Sequence, residues 1–227
     1  MDKWLELDKK IISCRKCPQL VEWREEVSQK KRRAFLDFQY WGKPVPGFGD
    51  HSGRLMVVGL APGAHGSNRT GRMFTGDASG DFLYPALYTN GFTNQPHARN
   101  VEDGLELKDV YITAVCRCVP PANKPTADEI KNCLPYLTME MERMENLEGI
   151  IALGRIAFDS VIKLLKKRGA AFSDRDFKHV SLVTNSSDFP WILASYHPSR
   201  QNTQTGRLTV DMFDEVWKKA KVLLSSK

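Results

Sequence analysis

The 227-residue sequence lacks several features that would place it outside the ordinary globular class. No apolar run reaches the roughly 18 residues that a transmembrane helix requires, so we expect no membrane association. The first residues, MDKWLELDKKIIS, lack the apolar core of a signal peptide, so we expect a cytoplasmic protein. Internal repeats and low-complexity linkers are also missing. The length then favours a single domain over residues 1–227, which opens with a helical segment.

Acidic residues are outnumbered by basic ones, at 27 Asp and Glu against 33 Lys and Arg, which leaves a net charge of +6. Clustered cations gain affinity for phosphates by releasing counterions, so the excess is compatible with a nucleic-acid partner. Solubility alone explains the same charge equally well. The 41% of hydrophobic residues are enough for a sizeable core.

Four short apolar runs have the length of buried strands: Arg54–Leu60, Val110–Cys116, Gly149–Gly154 and Trp191–Tyr196. Helical patterns lie around them, at Trp4–Ile12, Leu20–Phe35, Ile156–Lys167, Val210–Leu224 and a segment that runs towards Met144 from the capping-box sequence at Thr126. Alternation of apolar strands with helices predicts an α/β fold: a parallel sheet covered by helices on both faces. Ligands of such sheets bind beyond the carboxyl ends of the strands.

Five cysteines are present, and in an intracellular chain they are more often metal ligands or free thiols than disulfides. Cys14 and Cys17 form a C-x2-C pair, and Cys118 and Cys133 follow much later. Four thiolates brought together would suit zinc or an iron–sulfur cluster, and the spacing does not separate the two. On an extended strand Cys116 and Cys118 would point to the same face, so either is a candidate ligand.

Two loops carry unusual sequences at strand ends. Gly59–Gly80, GLAPGAHGSNRTGRMFTGDASG, is rich in glycine and contains the carboxylate of Asp77, but it matches neither the P-loop nor the dinucleotide-binding pattern. Asp77 is either a catalytic group or the N-cap of a helix starting at Ala78, and the two roles are compatible. The second loop, His197–Arg207, places a histidine directly after the last strand.

Together the two loops resemble those of the uracil-DNA glycosylase superfamily, and most closely its family 5. That resemblance implies a three-layer α/β/α fold around a mostly parallel four-stranded sheet, and removal of uracil from DNA. It also implies a structural 4Fe–4S cluster held by Cys14, Cys17, Cys118 and Cys133, with Cys116 as a non-ligand.

The sequence departs from the wider superfamily at two positions. Leu60–Ala61–Pro62–Gly63 has no acid or amide where most members carry a water-activating residue, so the resemblance transfers that role to Asp77. Ala114 stands where a related family has a uracil-reading asparagine, and Asn123 is the expected replacement. Fewer polar contacts to the base predict a permissive enzyme that also accepts hypoxanthine.

The resemblance implies roles for the remaining residues. His197 would donate a hydrogen bond to the leaving uracil anion, Phe74 would stack on the flipped base, and Gly63 and Ala64 would leave space beside it. Phosphate contacts are expected from Arg69, Arg72, Ser199, Arg200 and Arg207. A wedge residue is expected within Gln201–Leu208. For Lys30–Arg33 two interpretations are open, contact with DNA and a solvated helix face, and the second is preferred.

The expected partner is single- or double-stranded DNA with deaminated bases. The enzyme is expected to be a monomer, with a sliding clamp as a candidate recruiting partner. Three other hypotheses stay open: a non-catalytic nucleic-acid-binding module, a redox protein and a zinc-stabilised hydrolase.

Overall fold

A computed structural model describes residues 2–172, 176–184 and 189–225 of the chain. Within these ranges the α-helices are α1 (Lys3–Ile12), α2 (Pro18–Lys30), α3 (Ser67–Thr70), α4 (Ala78–Thr89), α5 (Ala127–Arg143), α6 (Arg155–Lys167), α7 (Arg200–Gln204) and α8 (Val210–Ser225). The strands are β1 (Phe48–Gly49), β2 (Leu55–Gly59), β3 (Val110–Ala114), β4 (Gly149–Leu153), β5 (Leu182–Val183) and β6 (Trp191–Ser195).

The strands form one sheet in the order β1-β3-β2-β4-β6-β5. The four central strands are parallel, and the two-residue strands β1 and β5 pair antiparallel at the edges. The predicted mostly parallel α/β sheet is therefore confirmed, and its four predicted strands are the central ones. The count of four misses the edge strands, because two residues show no detectable period in a sequence.

Alternate residues of the central strands face two different helical layers. Leu55 and Val57 belong to the core cluster that includes residues of α4 and α8. Met56 and Val58 belong to a second cluster with α5 and α6. All five residues of β2 are buried, as are those of β3 and β4, which is why these strands read as continuous apolar runs. The result is the predicted three-layer arrangement.

Two boundaries differ from the sequence-based prediction. Helix α2 ends at Lys30 rather than Phe35, because Lys31 has a left-handed φ of 50° that a helix cannot continue through. Strand β3 ends at Ala114, so Cys116 and Cys118 lie beyond the strand and the argument that they share one strand face was wrong. In the part of the chain that the structure describes, no helix has the length and apolar character to cross a membrane.

Candidate active site

The glycine-rich loop after β2 brings Asp77 and Phe74 to the carboxyl end of the sheet. Asp77 is the N-cap of α4, and its Oδ1 accepts hydrogen bonds from the backbone N–H groups of Ser79 at 3.0 Å and Gly80 at 3.1 Å. The sequence predicts helix capping as an alternative role of Asp77, and the helix that it caps is present. A fixed carboxylate is left whose second oxygen is not used by the cap.

That second oxygen, Oδ2, faces the backbone of the first motif. A Cβ atom built on Gly66 would lie 1.9 Å from Oδ2, and one on Gly63 would lie 2.8 Å from it. Glycine at both positions therefore lets the carboxylate sit against the turn that follows β2. Gly66 was not predicted as a site residue, and the glycine density of the loop was its only signal.

Burial raises the pKa of Asp77 above its usual value of 3.8, while the two backbone N–H groups of the cap act in the opposite direction. A desolvated carboxyl group holds its proton more tightly, because burial penalises the charged form. Perturbed carboxyl groups of this kind concentrate at functional sites.

Phe74 and His197 lie side by side, although they come from different loops. Their ring centroids are 5.9 Å apart at an interplanar angle of 30°. Phe74 has a left-handed φ of 52°, and its ring covers Gly59, where a Cβ atom would lie 2.7 Å from Cζ. A bulky residue in this strained conformation is typical of functional sites.

His197 follows β6 and is held through its backbone, because Asn202 Nδ2 donates to the His197 carbonyl oxygen at 2.9 Å. Burial lowers the pKa of His197 from 6.5 to about 4. The imidazole is therefore neutral at physiological pH, and it keeps one N–H donor and one acceptor nitrogen.

Asn123 lies in a short 3-10 turn, Pro121–Asn123, and has a left-handed φ of 56°. Its side chain is exposed, and among the described residues no hydrogen bond joins it to Phe74, Asp77 or His197. The structure thus brings Asp77, Phe74 and His197 towards one strand end but does not place the Asn123 amide with them. Gly63 and Ala64 are both partly exposed in the turn after β2.

The five residues predicted to contact DNA divide into two groups. Arg69 and Arg72 are buried, with exposed fractions of 9% and 6%. Arg69 donates to the carbonyl oxygens of His65 at 2.7 Å and Gly76 at 3.0 Å, and Arg72 forms an ion pair with Asp103 at 2.7 Å. Both guanidinium groups therefore hold the glycine-rich loop from inside, and their contact with phosphate stays a prediction.

The other three lie at the surface of the second loop. Ser199 is the N-cap of α7 and is partly exposed, and Arg200 and Arg207 are exposed. The Arg207 guanidinium lies 5.0 Å from the ring centroid of Tyr196. These groups are accessible to a phosphate backbone.

Four segments bring the cysteines together. Cys14 lies between α1 and α2, Cys17 is the N-cap of α2, Cys118 follows β3, and Cys133 lies on α5. Burial raises the pKa of Cys17 and of Cys118, and the nearby charges of Cys133 and Cys14 raise both further. The four thiols therefore lie within electrostatic range of one another.

Three polar contacts at this cluster were not foreseen. Arg24, only 2% exposed, donates to Cys118 Sγ at 3.0 Å, and Asn132 donates to Cys17 Sγ at 3.5 Å. Cys116 is fully buried and hydrogen-bonds with Cys133, so it lies beside the four predicted ligands. Within residues 2–172, 176–184 and 189–225, no group of three or more Cys, His, Asp or Glu is arranged to hold a metal ion.

The sequence of this chain is similar to those of one protein superfamily. The family model described as "Uracil DNA glycosylase superfamily" matches residues 46–221, which include both motif loops. A type-5 uracil-DNA glycosylase of Thermus thermophilus is 49% identical over 94% of each chain. One of Mycobacterium tuberculosis is 47% identical over 96% of this chain and 81% of its own.

A type-4 uracil-DNA glycosylase of Archaeoglobus fulgidus is more distant, at 28% identity over 88% of this chain and 83% of its own. The type-5 relatives are thus similar over nearly the whole length of this chain, which is more than the family model matches. On these matches and on its fold, the chain belongs to the uracil-DNA glycosylase superfamily and, within it, to the type-5 group.

Proposed function

We propose that this chain is a monofunctional glycosylase that hydrolyses the N-glycosidic bond of uracil in DNA and leaves an abasic site for base-excision repair. One observation carries the proposal: Asp77 is fixed by the α4 cap with Oδ2 free of that cap, in the loop whose Phe74 lies beside His197. The relatives that are 47% and 49% identical to this chain are named uracil-DNA glycosylases.

The reaction requires the target nucleotide to leave the duplex and enter a pocket. As the bond between C1′ and N1 of the base breaks, its electron pair leaves with uracil and the sugar becomes oxocarbenium-like. The Asp77 carboxylate stabilises the cationic sugar, orients the water whose oxygen bonds to C1′, and accepts the proton that this water releases. The cap leaves Oδ2 for this task.

His197 stabilises the departing base. Because its pKa is about 4, the neutral imidazole donates an N–H to the uracil oxygen that gains negative charge. Phe74 stacks on the flipped base, and its position beside His197 brings the stacking ring and the hydrogen-bond donor to one site. Gly63 and Ala64 supply backbone and space, and Asn123 reads the edge of the base once DNA orders its exposed turn.

DNA is held by Ser199, Arg200 and Arg207, which are accessible at the end of β6, and Arg69 and Arg72 add to this grip only if the catalytic loop rearranges. The proposal includes both single- and double-stranded DNA as substrates, a monomeric enzyme of one domain over residues 1–227, recruitment by a sliding clamp, and a cytoplasmic location.

We also propose a 4Fe–4S cluster with Cys14, Cys17, Cys118 and Cys133 as its ligands. Two observations support this ligand set: the thiols lie within electrostatic range of one another, and the Arg24 guanidinium beside Cys118 would balance the charge of thiolate ligands. The cluster would supply a cross-link among the first two helices, β3 and α5. Glycosidic hydrolysis involves no oxidation or reduction, so no step of the reaction depends on the cluster.

The small number of polar side chains expected to contact the base predicts a permissive enzyme. Ala114 ends β3 without an amide, so a wrong base leaves few polar groups of the protein unpaired. We expect hypoxanthine, and xanthine more weakly, to be released from matched duplexes. A preference for uracil over hypoxanthine of about a thousandfold would contradict this part of the proposal, because discrimination of that size requires polar groups that a wrong base leaves unpaired.

The test of function uses the anaerobically purified protein and a labelled duplex with one uracil. Wild type is compared with Asp77→Ala and His197→Ala, after the visible spectrum of each has been recorded. The proposal predicts an alkali-sensitive abasic site from wild type and much slower release from either variant with an intact chromophore. DNA binding without an abasic product would instead support a non-catalytic nucleic-acid-binding module.

A further inference from the structure

The region expected to supply the duplex-opening wedge has no exposed apolar side chain. Within Gln201–Leu208 the single apolar residue is Leu208, which is fully buried in the core. The other side chains of this stretch are polar or absent. An apolar contact with unstacked bases must therefore come from another part of the surface.

Residues 31–40, which we name the basic arm, carry such side chains. The arm starts where α2 ends, and Leu36 and Phe38 are 56% and 51% exposed. Arg32 and Arg33 precede them, are exposed, and form no ion pair within the described parts of the chain. Asp37 lies between the two apolar residues, so with Lys31 the arm has a net charge of +2.

The basic arm contacts the glycine-rich loop through the side chain of Arg69. The Arg69 guanidinium lies 4.2 Å from the ring centroid of Phe35 and 5.1 Å from that of Phe38. The same guanidinium donates to the carbonyl oxygen of Gly76, the residue before Asp77. Arg69 therefore joins the arm directly to the segment that carries the catalytic carboxylate.

A second connection runs through His65, in the turn between Gly63 and Gly66. The Tyr40 hydroxyl is 3.0 Å from His65 Nδ1, and the charge of Arg32 acts on the His65 imidazole. The backbone N–H of Trp41, the residue after the arm, also donates to the Arg69 carbonyl oxygen at 2.9 Å. Cations and exposed apolar side chains are thus held close to the base site.

We propose that the basic arm is a DNA-contacting element, in which Arg32 and Arg33 bind phosphates beside the flipped nucleotide and Leu36 and Phe38 contact bases that unstack there. The proposal rests on the proposed function, which places a flipped nucleotide at Asp77. Two adjacent arginines complement a phosphate backbone, and apolar side chains beside them suit exposed base faces. The interpretation of Lys30–Arg33 as a merely solvated face is replaced, because α2 ends before the arginines.

The phosphate part is tested by binding of the full chain to a duplex with one tetrahydrofuran abasic analogue, measured by fluorescence anisotropy over a salt series. Arg32→Gln/Arg33→Gln is compared with Lys166→Gln/Lys167→Gln, which removes the same charge from exposed positions of α6. We expect the logarithmic salt slope of the arm variant alone to fall by about 2, since each phosphate contact contributes about 0.9. Equal slopes for the two variants would overturn the proposal.

The apolar part is tested with Leu36→Ser, whose exposed side chain leaves the fold intact. Its control is Tyr88→Ser, at an exposed position of α4 eleven residues from Asp77. We expect Leu36→Ser to weaken abasic-duplex binding by roughly tenfold, and to slow single-turnover uracil release from duplex more than from single strands. The control should match wild type.

Wild-type behaviour of Leu36→Ser on duplex DNA would overturn the arm's apolar role. So would a change of molecular mass in solution with DNA binding intact, since the arm would then join two copies of the chain. A wild type that releases no uracil would contradict the proposed function alone, because the binding series still decides whether the arm contacts DNA.

Discussion

At the residue scale, Asp77 caps helix α4, and its burial disfavours the ionised carboxylate. Oδ1 is neutralised by two backbone N–H groups at the positive end of α4, whereas Oδ2 faces the turn at Gly63 and Gly66. Burial raises the pKa of the carboxyl group, so the ionised form is destabilised where it lies. This cost supports the proposed catalytic role of Asp77, because an uncharged cap would fold as well.

Asp77→Asn separates the two roles. Asparagine caps helices about as well as aspartate. We therefore expect the free energy of unfolding of Asp77→Asn at neutral pH to be no lower than that of wild type. The folded pKa of Asp77 is raised, so wild type loses stability relative to the variant as pH rises from the unfolded value near 3.8 through the folded one. Urea unfolding of both proteins across this range measures the difference. A variant that is less stable at every pH would show that the cap depends on the charge.

His197 is predicted to act as a neutral donor, because its pKa is lowered to about 4. The uracil release rate should therefore show no step near 6.5, the usual pKa of the imidazole. We expect His197→Ala to be slower by roughly 10² to 10³-fold, the cost of one lost donor to a developing anion, and His197→Gln to recover part of that loss. A pH–rate profile of the three proteins decides this. A wild-type step near 6.5 that vanishes in His197→Gln would mean that the imidazolium is the active form.

Cys116 and Cys118 provide a matched pair for the cluster proposal, since both are buried and close to Cys133. Cys118 accepts a hydrogen bond from Arg24, which favours a thiolate ligand, whereas Cys116 hydrogen-bonds with Cys133. We expect Cys118→Ser to lose iron and visible absorbance and Cys116→Ser to keep both. Iron per chain after anaerobic purification is the measurement, and the reverse pattern would assign Cys116 as the ligand.

At the element scale, the long elements were predictable and the short ones were not. β2, β3 and β4 are continuous apolar runs, and α5 starts at the capping box of Thr126 and Glu129 that the sequence predicted. By contrast, α3 and α7 span four and five residues, too few to show a helical period. Helix α2 ends at Lys30 because Lys31 has a positive φ, and the residue type lysine gives no indication of such a φ.

The attachment of β3 to α5 depends on a buried polar network that sequence patterns did not reveal. Arg117 and Glu140 are 1% and 0% exposed and form an ion pair, and Glu140 also accepts hydrogen bonds from Thr113 at 2.7 Å and Tyr111 at 3.1 Å. Arg117 stands between Cys116 and Cys118, so this network also fixes the loop that holds the thiols.

Arg117→Ala leaves the Glu140 carboxylate buried without its cation. We expect it to lower the free energy of unfolding by about 3–5 kcal/mol, the usual cost of breaking a buried pair. Arg15→Ala breaks the exposed pair with Glu25 and should leave stability unchanged within error. Chemical denaturation of both variants is the comparison. Equal stabilities would mean that water reaches Glu140 and replaces the arginine.

At the scale of the whole molecule, the sequence predicted which strand ends carry the two motif loops better than it predicted the contacts of their side chains. Asp77 and His197 follow strands of one parallel sheet, and such strands end at the same edge. The internal role of Arg72 was missed because its partner, Asp103, lies more than thirty residues away in the sequence. That of Arg69 was missed because Phe35 is similarly distant and its nearer partners, in His65 and Gly76, are backbone carbonyl groups that no motif marks. Motif position alone does not reveal such long-range partners.

We propose that hydrolysis of the glycosidic bond by this chain depends on the Asp77 carboxylate. The most direct measurement is single-turnover release of uracil from a duplex by wild type and Asp77→Asn, with abasic-duplex binding measured on the same preparations. We predict release slower by roughly 10² to 10⁴-fold in the variant, with binding unchanged. Release at the wild-type rate from Asp77→Asn, or no release from wild type, would contradict the account.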